Sequence, residues 1–70
     1  MVDPRKPLGI AIRKRREELG LTQEQLAERA DLHWTFISGV ERGVRNISFV
    51  NLYHVAVALK VRLRDLVDEI

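Results

Sequence analysis

Apolar positions recur at intervals of three and four residues along most of the 70-residue chain, which is the spacing of an amphipathic helix. Leu8, Ile12 and Leu19 lie on one such stripe. No stretch alternates apolar and polar residues over the length of a strand. The pattern therefore predicts an all-α protein built from short helices. The five predicted helices cover Leu8–Leu19, Gln23–Ala30, Trp34–Arg42, Phe49–Leu59 and Leu63–Glu69.

Stop and capping signals separate the predicted helices. Gly20 and Gly43 follow the first and third helices, where glycine commonly ends a helix. Thr22 and Ser48 precede the second and fourth helices, and a hydroxyl there can accept a hydrogen bond from an unpaired backbone N–H. Asp31 falls in the tight connection between the second and third helices, and aspartate tolerates turn conformations.

The length and composition indicate one small domain. A chain of 70 residues hides only about 60% of its unfolded surface, so its stability is marginal. The chain has no cysteine, which excludes disulfides and thiolate zinc sites. We therefore expect well-packed helices, dimerisation, or both.

The first seven residues differ from the rest of the chain. They contain two prolines and two basic side chains, which predicts a flexible basic arm over residues 1–7 and a domain over residues 8–70. They lack the apolar core of a signal peptide. No apolar run approaches the roughly 20 residues that span a bilayer. We expect a cytoplasmic protein that does not associate with membranes.

The net charge is only +2, but basic residues are concentrated near the N-terminus. The first sixteen residues contain a single acidic residue, Asp3, and six basic residues, which are Arg5, Lys6, Arg13, Lys14, Arg15 and Arg16. Such a cluster is compatible with an ordinary solvated helix surface or with an edge that contacts phosphate. The charge alone does not decide between these alternatives.

The third predicted helix has an unusual outward face. A helical wheel places Trp34, Thr35, Ser38, Gly39 and Arg42 together on that face. A glycine inside a helix costs about 1 kcal/mol relative to alanine, yet a face with little bulk lets a helix approach another surface closely. The major groove of DNA admits one helix. The alternative is that Trp34 packs on the surface of the first or fourth helix.

The second and third helices have the spacing of a helix-turn-helix. In that motif the second helix enters the major groove, and its first residues meet base edges. Trp34 and Thr35 are those first residues here. Thr35 can hydrogen-bond a base or place its methyl group on thymine.

The sequence resembles the Cro/repressor-type helix-turn-helix family, also called the XRE family. The resemblance is carried by I-R-K-R-R-E-E-L-G-L-T-Q-E-Q-L-A-E-R-A, then F-I-S-G-V-E-R-G, then A-L-K-V, and it covers residues 8–66. It implies a five-helix, lambda-repressor-like domain that binds double-stranded DNA, is usually dimeric and controls transcription. E-R-G-V-R-N-I-S and the single short last helix further resemble the controller proteins of restriction–modification systems.

The resemblance implies roles for individual residues. Gln23 matches a glutamine that contacts a phosphate and braces the recognition helix. The positions that match base-facing residues are Trp34, Thr35, Ser38 and Gly39. The positions that match phosphate-contacting residues after the recognition helix are Arg42, Arg45 and Asn46, although an ordinary solvated loop would look similar.

Arg16 and Glu41 lie on the inward stripes of the first and third helices. A charge on an apolar face must reach solvent or find a partner. We therefore predict a structural ion pair between these two residues, and the family has a similar arginine–glutamate bridge.

The chain departs from the family pattern at four positions. Asp31 and Lys60 stand where glycine is frequent, and Ile47 stands where proline is common. Trp34 is bulkier than the usual polar residue at its position, which is a departure from the family's usual base-reading scheme.

The fourth and fifth helices carry more apolar surface than one seam needs. We predict a symmetric homodimer through Tyr53, Val57, Leu63, Leu66, Val67 and Ile70. The alternative is that the last helix only closes the core of the monomer.

The sequence shows no pattern typical of an enzyme. His33 and His54 are far apart, no thiol is present, and Ser38 has no histidine within helical reach. We expect no catalytic residue, metal, cofactor or small-molecule ligand. The alternative function is that of an antitoxin or adaptor, in which the same fold binds a protein partner as well as DNA.

Overall fold

The computed structural model describes residues 3–68 and residue 70, and within them the chain forms five α-helices and no β-strand. The helices are α1 Arg5–Glu18, α2 Gln23–Ala30, α3 Trp34–Glu41, α4 Phe49–Ala58 and α5 Leu63–Val67. The predicted all-α class is confirmed, and α2 has the predicted bounds. Helices α1, α3 and α4 end one residue earlier than predicted, and the predicted last residue of α5, Glu69, lies outside the described residues.

Helix α1 begins at Arg5, earlier than the sequence predicted, so residues 5–7 of the predicted arm belong to this helix. Pro4 is the N-cap and Pro7 lies in the first turn. A proline is tolerated there because the first N–H groups of a helix have no partner within it. The Asp3 carboxylate also accepts a hydrogen bond from the Arg5 backbone N–H, at 3.0 Å. Met1 and Val2 lie outside the described residues.

Side-chain caps define the starts of α2 and α4, as predicted. The Thr22 hydroxyl accepts from the backbone N–H of Gln25 at 3.0 Å, and the Gln25 side chain accepts from the Thr22 backbone at 2.9 Å. This reciprocal arrangement is a capping box. The Ser48 hydroxyl accepts from the backbone N–H of Asn51 at 3.1 Å.

The five helices pack around one apolar core, to which each of them contributes side chains. Helix α3 packs against α1 and α2, α4 packs against α2, and α5 contacts α1 and α4. The largest fully buried side chains are Ile12, Leu26, Ile37, Val40, Val55 and Leu59. These residues hold one side of α3 in the core, which leaves its opposite side at the surface.

The approach of α1 to α3 depends on Gly9. A Cβ atom added at Gly9 would lie 2.5 Å from the carbonyl oxygens of both Val40 and Glu41. Real Cβ atoms do not approach backbone oxygens so closely, so any larger residue would push the two helices apart. Gly9 therefore helps to fix the depth at which α3 sits.

Two of the departures from the family pattern fall in strained backbone. Asp31, the C-cap of α2, has φ 57°, and Lys60, just after α4, has φ 58°. Both conformations are left-handed and favour glycine. The chain therefore adopts the backbone that glycine would normally provide, at some cost in stability.

Candidate nucleic-acid interface

Helices α2 and α3 form a helix-turn-helix joined by residues 31–33. The left-handed backbone of Asp31 reverses the chain, and the Leu32 N–H donates to the Ala27 carbonyl at 2.8 Å. Leu32 packs against the core, which anchors the turn between the two helices. The turn thus fixes the direction of α3 from its first residue.

The outward face of α3 is open to solvent at three of the predicted base-facing or phosphate-contacting positions. Trp34 is 47% exposed, and Thr35 and Arg42 are exposed as well. Ser38 is half-buried between them. Trp34 is therefore not part of the core, and its ring is stacked beside that of His33 with the ring centroids 6.4 Å apart.

Gly39, which was predicted to face bases, is covered by a side chain of the following loop in the structure. Gly39 is buried, because the aliphatic part of the Arg45 side chain lies over it. A Cβ atom at this position would overlap the Cγ atom of Arg45. The Arg45 guanidinium carbon lies 5.3 Å from the centre of the Phe36 ring, which is within the range of a cation–π interaction. The glycine thus makes room for a cation along the flank of α3.

His33 caps the recognition helix, a role that the sequence analysis missed. Its Nδ1 atom accepts from the Thr35 backbone N–H at 3.2 Å and lies 2.7 Å from the Thr35 hydroxyl. Histidine is not among the usual N-cap residues. The only signal in the sequence was its place directly before the predicted start of the helix.

Gln23, predicted to contact a phosphate and to brace α3, lies at the first position of α2. Its amide nitrogen donates to the Oε1 atom of Glu41 at 3.0 Å. The side chain therefore ties the start of α2 to the end of α3. It is only half-buried, so it also remains accessible from outside.

Arg16 and Glu41 form the ion pair that their inward positions predicted. The Arg16 Nε and Nη2 atoms donate to the two Glu41 carboxylate oxygens at 2.7 and 3.0 Å. Arg16 Nη1 also donates to the Leu21 carbonyl at 2.8 Å. The hydrogen bonds to Glu41 raise the pKa of Arg16. This pair fastens α3 to α1 behind the exposed face.

A basic edge lies beside the end of α3. Arg42, Arg45 and Asn46, the predicted phosphate-contacting residues, are all exposed. Lys6 joins them, since its Nζ atom donates to the Arg42 carbonyl at 3.3 Å. The sequence analysis did not predict this contact, because it assigned Lys6 to a flexible arm. In the structure Lys6 lies in the first turn of α1, beside the end of α3.

Arg5 is less available than Lys6, because its charge is paired locally. Its guanidinium donates to the Asp3 carboxylate, with Nη2 2.8 Å from Oδ2. The side-chain and backbone hydrogen bonds from Arg5 lower the pKa of Asp3 to about 2. The pair stabilises the first turn of α1 and offsets one positive charge at the basic edge.

The apolar strip consists of exposed apolar side chains on and beside α4 and α5. Tyr53, Val57, Val67 and Ile70, all predicted for the dimer interface, are exposed. Leu63 is partly buried against the core, and Leu66 is only 3% exposed. The monomer core therefore already uses Leu66, which has almost no surface left for a partner. Phe49 and Val50, which the sequence analysis did not single out, extend the strip at the start of α4.

The described residues were also compared with the requirements of a metal site and of a membrane-spanning helix. Among them, no group of three or more histidine or acidic side chains is placed to hold a metal ion. No described helix is long and apolar enough to cross a membrane.

The exposed α3, its turn and the basic edge together define a DNA-binding helix-turn-helix domain. A helix-turn-helix family model matches residues 12–66. The chain therefore belongs to the helix-turn-helix family of Cro/repressor (XRE) type, whose members are transcription regulators rather than enzymes.

Two control proteins are among the relatives of this chain. Control protein C.BamHI of Bacillus amyloliquefaciens is 48% identical over 48 residues, which are 69% of this chain and 59% of the relative. Control protein C.MunI of a Mycoplasma species is 39% identical over 56 residues, which are 80% of this chain and 76% of the relative. The match thus spans less than two thirds of the C.BamHI length.

The fold is also close to that of a solved controller protein. The crystal structure of the restriction–modification controller protein C.AhdI from Aeromonas hydrophila superposes with a TM-score of 0.87 at 40% sequence identity. The superposition covers 89% of this chain and 94% of that chain. The likeness therefore includes nearly the whole domain, not only the two helices of the motif.

Proposed function

We propose that this protein is a transcription regulator that binds a palindromic DNA operator as a homodimer, with α3 of each protomer in the major groove. The observation that carries the proposal is the position of α3. Its inward side is fixed by the core and by Glu41, while Trp34, Thr35 and Arg42 face solvent. The major groove is about 12 Å wide and accepts such a helix.

The residues around α3 divide into two groups with different roles. Trp34, Thr35 and Ser38 meet base edges, because the first turns of a recognition helix approach the bases most closely. The phosphate contacts come from Gln23, Arg42, Arg45 and Asn46, which lie along the flank of α3 and beside its C-terminal end. Phosphate contacts fix orientation and base contacts provide specificity, so both groups are needed.

The dimer follows from the exposed apolar strip and from the size of the domain. A two-fold dimer reads two half-sites about 34 Å apart, whereas one recognition helix reads only a few base pairs. Tyr53, Val57, Val67 and Ile70 are exposed, and burying them against a second copy would remove them from water. The interface is isologous, with α4 and α5 of one protomer against the same helices of its partner.

The relatives indicate which genes are regulated. C.BamHI and C.MunI are control proteins, and C.AhdI is a restriction–modification controller protein. We infer that this chain controls restriction–modification genes, and that it acts in the cytoplasm, where those genes are accessible.

Selection of bound sequences from random duplex DNA tests the proposal directly. We expect an enriched palindrome with half-sites about one helical turn apart. The affinity for that duplex should fall steeply with salt, because each neutralised phosphate releases counterions. Failure to enrich any sequence at low salt would contradict the proposal, and enrichment of a single half-site would contradict its dimeric part.

A further inference from the structure

The two contacts between His33 and Thr35 determine which ring nitrogen of His33 carries the proton and in which direction the Thr35 hydroxyl donates. The backbone N–H of Thr35 can only donate, and it points to His33 Nδ1 at 3.2 Å. Nδ1 must therefore carry its lone pair, which places the ring proton of His33 on Nε2.

The same assignment fixes the direction of the hydroxyl bond. Thr35 Oγ1 lies 2.7 Å from His33 Nδ1. Since Nδ1 has no proton to give, the hydroxyl must be the donor. A hydroxyl has one proton and two acceptor lone pairs. The proton is used on His33, so Thr35 offers solvent only its lone pairs and its methyl group.

We propose that Thr35 reads DNA only as a hydrogen-bond acceptor, and that His33 is the positioning residue that imposes this polarity. In the major groove, adenine N6 and cytosine N4 are donors, whereas guanine N7 and O6 and thymine O4 are acceptors. An acceptor-only hydroxyl pairs with the amino group of adenine or cytosine and repels the acceptors of guanine and thymine. This inference rests on the proposed function, in which Thr35 meets a base edge.

The geometry also shows what would have to change for the opposite preference. To donate to guanine or thymine, the Thr35 hydroxyl would have to leave His33 Nδ1, with only the backbone N–H remaining on that atom. An intramolecular hydrogen bond of this kind contributes a modest but real stabilisation. His33 therefore biases the base preference through its hydrogen bond with Thr35.

Selection from random duplex DNA with matched variants tests the base preference. Thr35→Val replaces the hydroxyl by a methyl group. The base pair at which this variant selects a different base from wild type is the one that Thr35 reads. Wild type should select adenine or cytosine there. His33→Ala should admit guanine or thymine, because the hydroxyl proton becomes free. His33→Asn, which restores an acceptor, should restore the wild-type preference, whereas a purely structural cap would change affinity for all sequences alike.

Removal of single amino groups from the selected duplex tests the hydrogen bond itself. Adenine is replaced by unsubstituted purine, or cytosine by its 4-deamino analogue, at that position. Wild type should lose roughly 3- to 10-fold in affinity, as expected for one hydrogen bond. Thr35→Val should lose no affinity on the same replacement, because it has no hydroxyl to accept that bond. Comparison of both proteins on the same duplexes cancels any effect on base pairing. Circular dichroism and urea unfolding establish that each variant is folded.

The outcomes separate this inference from the proposed function. Selection of guanine or thymine opposite Thr35, or equal losses for wild type and Thr35→Val, would overturn the acceptor-only reading while DNA binding stands. A wild-type chain that selects no sequence would overturn both.

Discussion

The Arg16 guanidinium grips both carboxylate oxygens of Glu41, with its Nε and Nη2 atoms 2.7 and 3.0 Å from them. The Glu41 side chain is only 2% exposed and that of Arg16 only 11%. Glu41 Oε1 also accepts from Gln23. One carboxylate thus connects α1, α2 and α3, and it does so on the side of α3 that faces away from the proposed DNA surface.

Glu41→Gln should destabilise the fold strongly. The change keeps the shape of the side chain but leaves the Arg16 charge without a counter-charge in a nearly buried site. Removing one partner of a buried pair typically costs about 3–5 kcal/mol. Urea unfolding followed by circular dichroism measures the loss.

A double variant separates the contribution of the ion pair from that of the packing around it. Arg16→Met with Glu41→Leu removes both charges, and it should recover much of the stability that Glu41→Gln loses, because apolar residues of similar volume often replace buried pairs without loss. An unchanged melting temperature for Glu41→Gln would show that the pair has no structural role.

Gly9→Ala should destabilise the protein even though alanine favours a helix. The added Cβ would meet backbone oxygens of Val40 and Glu41, which cannot move without shifting α3. Overpacking of this kind typically costs about 1–3 kcal/mol, more than the gain of about 1 kcal/mol in helix propensity. Urea unfolding of the variant measures the balance.

Gly39→Ala is the matched comparison for Gly9→Ala, because only the Arg45 side chain occupies the space. That side chain can swing aside, so we expect stability equal to or above that of the wild type. Its displacement should lower DNA affinity. A loss of stability as large as that of Gly9→Ala would show that Arg45 is held rigidly over α3.

Lys60→Gly should stabilise the protein. Lys60 has φ 58°, and a left-handed conformation costs an L-residue roughly 1–2 kcal/mol. A gain of about 1 kcal/mol should raise the melting temperature by about 4–8 °C in a domain of this size. Asp31→Gly should gain less, because aspartate tolerates this conformation better than lysine. Thermal unfolding by calorimetry measures both.

The control for Lys60→Gly is a glycine placed at an exposed position inside a helix. Glu28→Gly in α2 should lose about 1 kcal/mol, since glycine has low helix propensity. If Lys60→Gly destabilised the protein as Glu28→Gly does, the backbone at Lys60 would not be strained.

The helices could be predicted because each one has its own apolar stripe and its own start or stop signal. The Arg16–Glu41 pair was predictable for the same reason, since two opposite charges stood on apolar stripes. The early start of α1 was missed because Pro4 and Pro7 look like helix breakers unless the first turn is known to need no donor.

The remaining errors concern neighbours that a single helix cannot reveal. A helical wheel gives the direction of Gly39 but not the Arg45 side chain that crosses from the following loop. It likewise shows that Leu66 is on an apolar face, but not whether the monomer core or a partner covers it. The cap provided by His33 was missed because its side chain is an uncommon N-cap.

Two classes of alanine substitution should weaken DNA binding in different ways. Arg42→Ala and Arg45→Ala remove proposed phosphate contacts, so each should weaken binding to all sequences and reduce the salt slope of the dimer by about 1.8, which is about 0.9 for each protomer. Thr35→Ala and Trp34→Ala should mainly change which sequence is preferred. Fluorescence anisotropy with the selected duplex and a scrambled duplex, at several salt concentrations, distinguishes the two classes.

Arg64→Ala is the control for the loss of a positive charge. Arg64 is exposed on α5, whose main contacts are with α1 and α4. This variant should retain the wild-type salt slope. If all four variants at the proposed DNA surface lost the same affinity on every duplex, the division into base and phosphate contacts would be refuted.

Val57→Asp should convert the proposed dimer to monomers without unfolding them. Val57 is 57% exposed in the monomer, so the fold does not need its side chain. Across a two-fold axis each new carboxylate would be buried against apolar groups or near its own copy, and both situations oppose association. The dimer dissociation constant, measured by equilibrium sedimentation, should rise roughly tenfold or more. Ile10→Asp makes the same change at an exposed apolar position on α1 and should leave the dimer intact. A wild-type monomer at tens of micromolar, or equal effects of the two variants, would exclude an interface built from α4 and α5.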